Sequence, residues 1–498
     1  MKKVVIVGAG IAGLAAGIYA RQSGFEVTIY EMHSIPGGNS TSWKRKGYFF
    51  EGAMYWLTGS GKDQPLYEEW CNLGALSDEV PVHNRDPFYT YMDGGENVCL
   101  YRDLDRLEKH FLSISPSDKK AIQVLCQDIR KFTKMSMPIM DLKGVKVKEQ
   151  HKMPISMLFK MLPMLPRIPA LSKMSAREYA EGFQHPGIRE ILKTVVGSDY
   201  NAMSLMFTLA TLAAGDGGYP EGGSLSMAHR MAKHYEDLGG EIEYNKRVQK
   251  VLVKKGRAVG VEISDEEILA DAVVVTIDTL SAIDHLFDQP LHEPWMEKMR
   301  TNTKPVMNTF VCLGIEADLS DLPENMLFTF DPPFFYAGEQ VNSLSVNNYA
   351  TYKGYAPKGC TSATMGLMGD TYDYWKNAKT KGTYEQDKKQ LADTIIERLG
   401  AKLPQIKDKV VVWDVATPLT YERYCGTYKG SWMTVVGKGD KPSIYPSTSE
   451  KIANLYFAGQ RLQPPGGLPV AAVTGRTAIQ YLCRDTNTVF QGSCLCVD

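Results

Sequence analysis

Three glycines and one acid near the start of the chain have the types and spacing needed to hold a dinucleotide. Gly8, Gly10 and Gly13 stand in the run Gly8-Ala9-Gly10-Ile11-Ala12-Gly13. In such a run the first glycine permits a tight turn and the second lets backbone approach a pyrophosphate. The third lets a helix pack closely on a strand. Glu31 follows about 20 residues on, where an acid takes ribose hydroxyls and disfavours a 2′-phosphate. A second diglycine, Gly37-Gly38 before Asn39, comes at once. NAD does not need it, whereas a longer dinucleotide has a second phosphate and a ribityl chain to run past that loop. FAD is therefore the expected cofactor, with Gly8, Gly10, Ala12, Gly13, Glu31, Gly37, Gly38 and Asn39 around it.

These residues work only if particular elements hold them. Val4-Val5-Ile6-Val7 is an unbroken β-branched run suited to a parallel strand covered on both faces. The spacing predicts a helix over 14–23, ended by Gly24, and a second strand over 25–30 closed by Glu31. The helix N-terminus then faces the phosphates with free N–H groups and the positive end of its dipole. Lys2-Lys3 followed by this apolar run imitates a signal peptide, but the glycine spacing marks it as a nucleotide turn.

Two later segments complete a pattern. One runs from Tyr219-Pro220-Glu221-Gly222-Gly223-Ser224 through Gly239-Gly240 to the strands at 248–253, 258–263 and 270–276. The other is Ala458-Gly459-Gln460, then Pro464-Pro465-Gly466-Gly467-Leu468-Pro469-Val470. With the opening fingerprint, they resemble the phytoene desaturase, carotenoid isomerase and retinol saturase family of FAD enzymes, within the wider amine oxidase superfamily. The resemblance implies an α/β fold: a Rossmann-type FAD-binding domain like that of the amine oxidases, and a substrate domain of mixed sheet and helices. It implies flavin contacts at Gly459, Gln460, Leu468, Pro469 and Val470, an adenine contact at Val248, and approach to the isoalloxazine ring by the segment with Gly52 and Ala53. Tyr55, Trp56, Thr417, Tyr421 and Trp432 become candidates for lining a substrate tunnel. Many superfamily members carry an acid where Gln460 stands, and Gln brings hydrogen bonding without charge.

All these motifs must meet around one ligand. The expected organisation is thus a discontinuous FAD domain, 1–60 with 219–290 and 445–498, and a substrate domain, 61–218 with 291–444. Residues 61–218 read as largely helical, and 300–440 contains alternating apolar segments that suit strands. The segment 153–173 is rich in Met and Leu, carries Lys and Arg, and is broken by Pro154, Pro163, Pro166 and Pro169. Such a surface suits lipid contact or the cap of an apolar tunnel, whereas the prolines forbid a long regular helix.

With 498 residues, 56 Lys+Arg against 57 Asp+Glu and a net charge of -1, the chain has room for two domains and lacks the global field that attracts nucleic acid. The nine cysteines lack zinc-site spacing and read as reduced thiols of a cytosolic protein, with peripheral membrane contact open. The terminal Cys494-Leu-Cys496 reads as tail rather than redox site, and no metal site is expected. A second dinucleotide fingerprint is missing, so electrons go to or come from a small acceptor or donor, or the flavin cycles within one turnover. The expected enzyme desaturates, saturates or isomerises carbon–carbon double bonds of a polyene or lipid-like substrate by hydride exchange with flavin N5, and holds FAD non-covalently. The alternatives are an amine oxidase-like flavoenzyme and, less favoured because the motifs are intact, a lipid-binding escort protein. Asp199, Tyr200 and Asp216 are polar residues to test as acid or base, though helix capping is the more ordinary role; the catalytic group stays unassigned.

Overall fold

In the computed structural model, residues 1–93, 95, 97–134, 139–147, 162–441 and 443–492 are described. The β-branched run lies in the strand Lys3–Val7, where Val4 to Val7 are all buried. It is the centre of a five-stranded parallel sheet ordered Glu241–Glu243, Glu26–Tyr30, Lys3–Val7, Ala272–Val275 and Leu455–Phe457. Of these, Lys3–Val7, Ala272–Val275 and Leu455–Phe457 are buried on both faces almost throughout and must be covered by helices, whereas the edge strand Glu241–Glu243 is not.

The helix Ile11–Gln22 starts three residues earlier than its spacing predicts, directly at the glycine turn. A Cβ on Gly13 would stand 1.9 Å from the Gly8 carbonyl oxygen, so only glycine lets helix and turn come this close. Across it packs the helix Leu468–Asp485. There Gly475 plays the same part, since an added Cβ would fall 2.7 Å from the Ala12 carbonyl oxygen and 3.0 Å from Ala15 Cβ. Buried Arg476 pairs with Asp141 at 2.6 Å on the flank of this contact. The antiparallel meander holds Lys250–Lys254 and Arg257–Ile263, with a third strand, Glu266–Leu269, which its Glu-rich, exposed sequence does not advertise.

The second sheet has seven strands in the order Val410–Ala416, Asn308–Ile315, Thr361–Met368, Glu339–Asn348, Asn325–Tyr336, Tyr89–Tyr91 and Val98–Leu100. It is antiparallel except where Asn325–Tyr336 meets Tyr89–Tyr91. The last two strands come from a region that reads as helical. At three residues each they are too short for periodicity to reveal, although Tyr-Thr-Tyr and Val-Cys-Leu are β-prone. Helices dominate the rest of that region, including Lys119–Phe132, Pro186–Thr194 and Ala202–Ala213.

Of the Met-rich segment, 153–161 lies outside the described residues, as do Cys494 and Cys496. The remainder forms the short helical pieces Leu162–Met164 and Ile168–Ser172, interrupted as its prolines require. Met164 and Leu171 are buried in the helical core, while Leu162 and Leu165 are 55% and 48% exposed. Among the described residues no helix is long and apolar enough to cross a membrane.

Candidate cofactor and substrate cavity

One cavity of about 1790 Å³ runs from the glycine turn of the parallel sheet to the face of the seven-stranded sheet. Ordinary single-ligand pockets hold roughly 300–1,000 Å³. The space therefore suits two ligands lying end to end.

At the glycine end the walls are stripped of side chains. Gly10 has φ -68, a conformation open to any residue, and a Cβ there would meet nothing nearer than the Gly37 carbonyl oxygen at 3.9 Å. A Cβ on Gly459, at φ +139, or on Gly467, at φ +95, would likewise meet nothing closer than 3.8 Å. These glycines keep a cradle empty that the protein itself does not fill. The helices Ile11–Gln22 and Leu468–Asp485 both open onto it with glycine N-caps that make no side-chain capping bond, leaving first-turn N–H groups for an anion or a carbonyl oxygen. The close packing of these two helices aims both N-termini into one cavity.

Glu31 sits at the same end, 6% exposed, and accepts hydrogen bonds from the N–H groups of Ala9 at 2.7 Å and His33 at 2.8 Å. Burial raises its carboxyl above the ordinary range, with the neighbouring backbone N–H groups pulling the other way. Asn39, Ser40, Thr279 and Thr427 are among the residues around this half, and their side-chain oxygens are buried with no hydrogen-bond partner among the described residues. Val248 is buried against the cavity, and neither its N–H nor its carbonyl is spent on another backbone group among the described residues. A dinucleotide's phosphates, ribose and adenine fit these donors and acceptors.

Gly8, Gly10, Ala12, Glu31, Gly37, Gly38, Asn39, Ala53, Val248, Gly459, Gln460, Leu468, Pro469 and Val470 all line the cavity. Gly13 and Gly52 do not. Gly13 serves helix packing, and a Cβ on Gly52 would lie 2.4 Å from the Trp43 ring. The Gln460 side chain is occupied by the protein: its amide nitrogen donates to the Trp432 carbonyl, and its oxygen accepts from Gly467 N–H at 3.0 Å. It ties the two lips of the loop and keeps only its flank for a ligand.

Tyr55, Trp56 and Trp432 line the far half, together with Tyr89, Asn308, Gly366 and Met368 from the sheet side. Thr417 and Tyr421 stand behind the wall. Thr417 caps the helix Pro418–Cys425 and meets the Tyr384 hydroxyl at 2.7 Å; Tyr421 packs edge-on to Trp432 with ring centroids 5.6 Å apart. Tyr200 and Asp216 border the cavity, but Asp199 is 85% exposed and 3.8 Å from Arg177. Asp216 accepts from the N–H groups of Gly59, Gly61 and Gly217 at 2.8 to 3.0 Å, so its carboxylate is already engaged in shaping a loop. Burial holds the phenols of Tyr55 and Tyr200 well above their ordinary range, which keeps them as neutral hydrogen-bonding groups.

Several site residues escape a reading of the sequence. Glu51, 1% exposed, accepts from Ala53 N–H at 3.0 Å, Met54 N–H at 3.1 Å and the Tyr219 hydroxyl at 2.7 Å, and so shapes the segment that carries Ala53 and Tyr55. Its position beside Gly52-Ala53 is the signal. Arg461 forms a buried pair with Asp278 at 2.8 Å and donates to the Met433 carbonyl at 3.0 Å, which staples the cavity wall to the turn after Gly459. Cys425 also lines the cavity; burial first, and then the nearby Glu31, push its thiol up to about 12. The helix Ala202–Ala213 contributes Ser204, Phe207, Thr208 and Thr211, one face at helical spacing.

The family described as flavin containing amine oxidoreductase matches residues 11–483, and this chain belongs to it. The class is thus a flavin oxidoreductase with a parallel nucleotide-binding sheet and a mixed second sheet. Among curated proteins, the chain is 24% identical over 510 residues to the chloroplastic prolycopene isomerase of Daucus carota, covering 97% of this chain and 80% of that protein. It is 23% identical over 519 residues to the lycopene-forming phytoene desaturase of Pseudescherichia vulneris, covering 97% and 100%. Among solved structures, a putrescine oxidase bound to putrescine shares the fold at a TM-score of 0.63 and 15% identity, covering 97% of this chain and 99% of that one. An oxidoreductase from Methanosarcina mazei does so at 0.56 and 17%, covering 96% and 100%.

Proposed function

We propose that this protein is an FAD-dependent oxidoreductase of the carotenoid desaturase and isomerase branch, which changes carbon–carbon double bonds in a long lipophilic substrate. The observation that carries the reading is one continuous cavity, a glycine cradle with two helix N-termini and Glu31 at one end and mostly aromatic and aliphatic walls at the other. Named relatives that act on carotenoids match nearly the whole chain and support it. Bound flavin would supply two-electron exchange with a carbon–carbon bond. The chain's own residues hold the cofactor by backbone and Glu31, exclude water with Tyr55, Trp56 and Trp432, and keep polar groups neutral. Non-covalent retention is supported by the Cys425 thiol, which burial keeps protonated and unreactive.

The putrescine oxidase fold keeps an amine substrate in view, but apart from Glu31 in the cofactor cradle the cavity's carboxylates are spent: Asp216 on backbone N–H groups, Asp278 on Arg461, and Glu422 on the Tyr372 hydroxyl at 2.8 Å. The exposed Leu162 and Leu165 beside the tunnel-forming helices support entry of substrate from a membrane surface.

Anaerobic incubation with a cis-polyene tests the assignment and sorts the reaction. Stoichiometric bleaching of the flavin identifies a desaturase, and reoxidation of pre-reduced flavin by substrate a saturase. Geometric isomerisation by reduced flavin without net change identifies an isomerase. No change in any polyene, together with oxidation of a primary amine, would overturn the reading.

A further inference from the structure

The glycine cradle, as built so far, does not balance the charge it is meant to hold. The two phosphates of a dinucleotide bring about one negative charge each, and two helix N-termini answer with roughly half a positive charge each, which leaves about one charge unmatched. Four lysines and arginines line the cavity: Arg247, Lys376, Lys429 and Arg461. Arg461 is paired with Asp278, Arg247 stands beside Val248, and Lys376 is exposed on the helix Tyr372–Lys381. Lys429 is different. It is half-buried, and among the described residues its ammonium has no ion pair or hydrogen bond; it lies only over the rings of Tyr372 and Tyr428, 5.9 and 6.0 Å from their centroids. A half-buried cation held by ring faces alone is incompletely compensated. Its backbone is also in the left-handed region, at φ +50 and ψ +29, which glycine adopts more readily than lysine. Strain of this kind collects at ligand clamps.

The loop that carries Lys429 is fixed beside the phosphate turn. Ser431 N–H donates to the Tyr428 carbonyl at 3.0 Å, and the Ser431 carbonyl accepts from Asn39 Nδ2 at 3.5 Å. Asn39 follows Gly37-Gly38, and this diglycine lies on the glycine turn: Gly37 N–H donates to the Ala9 carbonyl at 2.8 Å, and a Cβ on Gly38 would be 3.4 Å from Gly10 Cα. Gly430 seats the loop from behind, since a Cβ there would stand 1.8 Å from the Pro418 carbonyl oxygen. We propose that Lys429 is the counter-ion of the cofactor's pyrophosphate, leaving the two tyrosine rings for a phosphate oxygen when the dinucleotide enters. The proposal rests on the reading of the glycine end as an FAD cradle and assigns the cation that the fingerprint residues do not supply.

The test titrates FAD into the full chain after its flavin has been removed, following flavin fluorescence at low and at high ionic strength. Lys429→Gly relaxes the left-handed backbone, so the flavin-free variant should melt within a few degrees of wild type. It should nevertheless bind FAD about tenfold more weakly or worse at low salt, the loss expected of a hydrogen bond to a charged group. Salt should weaken FAD binding by the wild type and do so markedly less in Lys429→Gly, because screening acts on the contact that the variant lacks. Lys429→Arg should restore most of the affinity, and Lys376→Gln, which removes the other ammonium over Tyr372, should match the wild type. ADP, which carries the pyrophosphate without the flavin ring, should weaken as a competitor by the same factor as FAD. If Lys429→Gly does not fold, Lys429→Gln carries the same comparison. Equal FAD affinity and equal salt dependence in wild type and variant would overturn the proposal and leave the cradle standing. Weakening of FAD without weakening of ADP would also overturn it, by placing the contact away from the pyrophosphate. If the wild type takes up no FAD, the cradle reading and this inference fall together.

Discussion

Gly10 and Gly13 stand in the same turn, yet alanine at each is expected to fail differently. At Gly10 the backbone is ordinary and an added methyl meets only empty cavity, its nearest neighbour 3.9 Å away. Gly10→Ala should therefore fold with unchanged or slightly raised stability, by up to about 1 kcal/mol, and purify without flavin. At Gly13 the same methyl strikes backbone, and Gly13→Ala should lose roughly 1–3 kcal/mol or more whether or not flavin is present. Thermal melts beside the flavin-to-protein absorbance ratio check both. A yellow, stable Gly10→Ala protein would mean that the phosphates lie elsewhere. Glu31 adds a pH dependence. Burial raises its carboxyl in the flavin-free fold, so this group stabilises that fold below the usual carboxylate value of about 4.3 and the benefit is lost as pH rises through the raised value. Ribose hydroxyls favour the ionised form, so flavin affinity should fall as acidification protonates Glu31, beginning above the pH at which exposed glutamates titrate. Glu31→Gln should flatten that dependence in a flavin-binding titration across mildly acidic pH.

At the scale of elements, legibility tracked whether a residue type had a backbone reason to be where it is. The strand, turn, helix and acid of the first unit are readable because glycine at Gly8 and Gly13 answers to geometry that no other residue meets. The helix Ala202–Ala213 is opaque for the opposite reason. Met203, Leu205, Met206 and Leu209 make it look like core on every side, and only the folded arrangement shows that the core takes one face and leaves Ser204, Phe207, Thr208 and Thr211 to the cavity. Thr417 and Tyr421 mislead similarly, since their neighbourhood in sequence is that of the tunnel while their side chains are used in a helix cap and an aromatic contact behind it. The pieces 162–164 and 168–172 mix both characters, with Met164 and Leu171 buried and Leu162 and Leu165 outside. Leu162→Glu with Leu165→Glu should accordingly keep flavin and fold, and weaken flotation with liposomes as well as turnover of lipid-borne substrate. Unchanged flotation and unchanged turnover would show that these side chains are ordinary surface.

Over the whole molecule, the parallel sheet, the meander and the helix Leu468–Asp485 converge on one end of a cavity whose other end is walled by the mixed sheet and helices. Its volume of about 1790 Å³ makes sense when one ligand stays and the other comes and goes. The resident ligand is thus the claim on which everything else depends. Its direct test is to purify the chain, denature it, precipitate the protein with acid and identify the flavin in each fraction by chromatography and mass. FAD is expected, near one per chain, wholly in the supernatant. FMN, flavin bound to the precipitated peptide, or a colourless protein that takes up no FAD on incubation would contradict it.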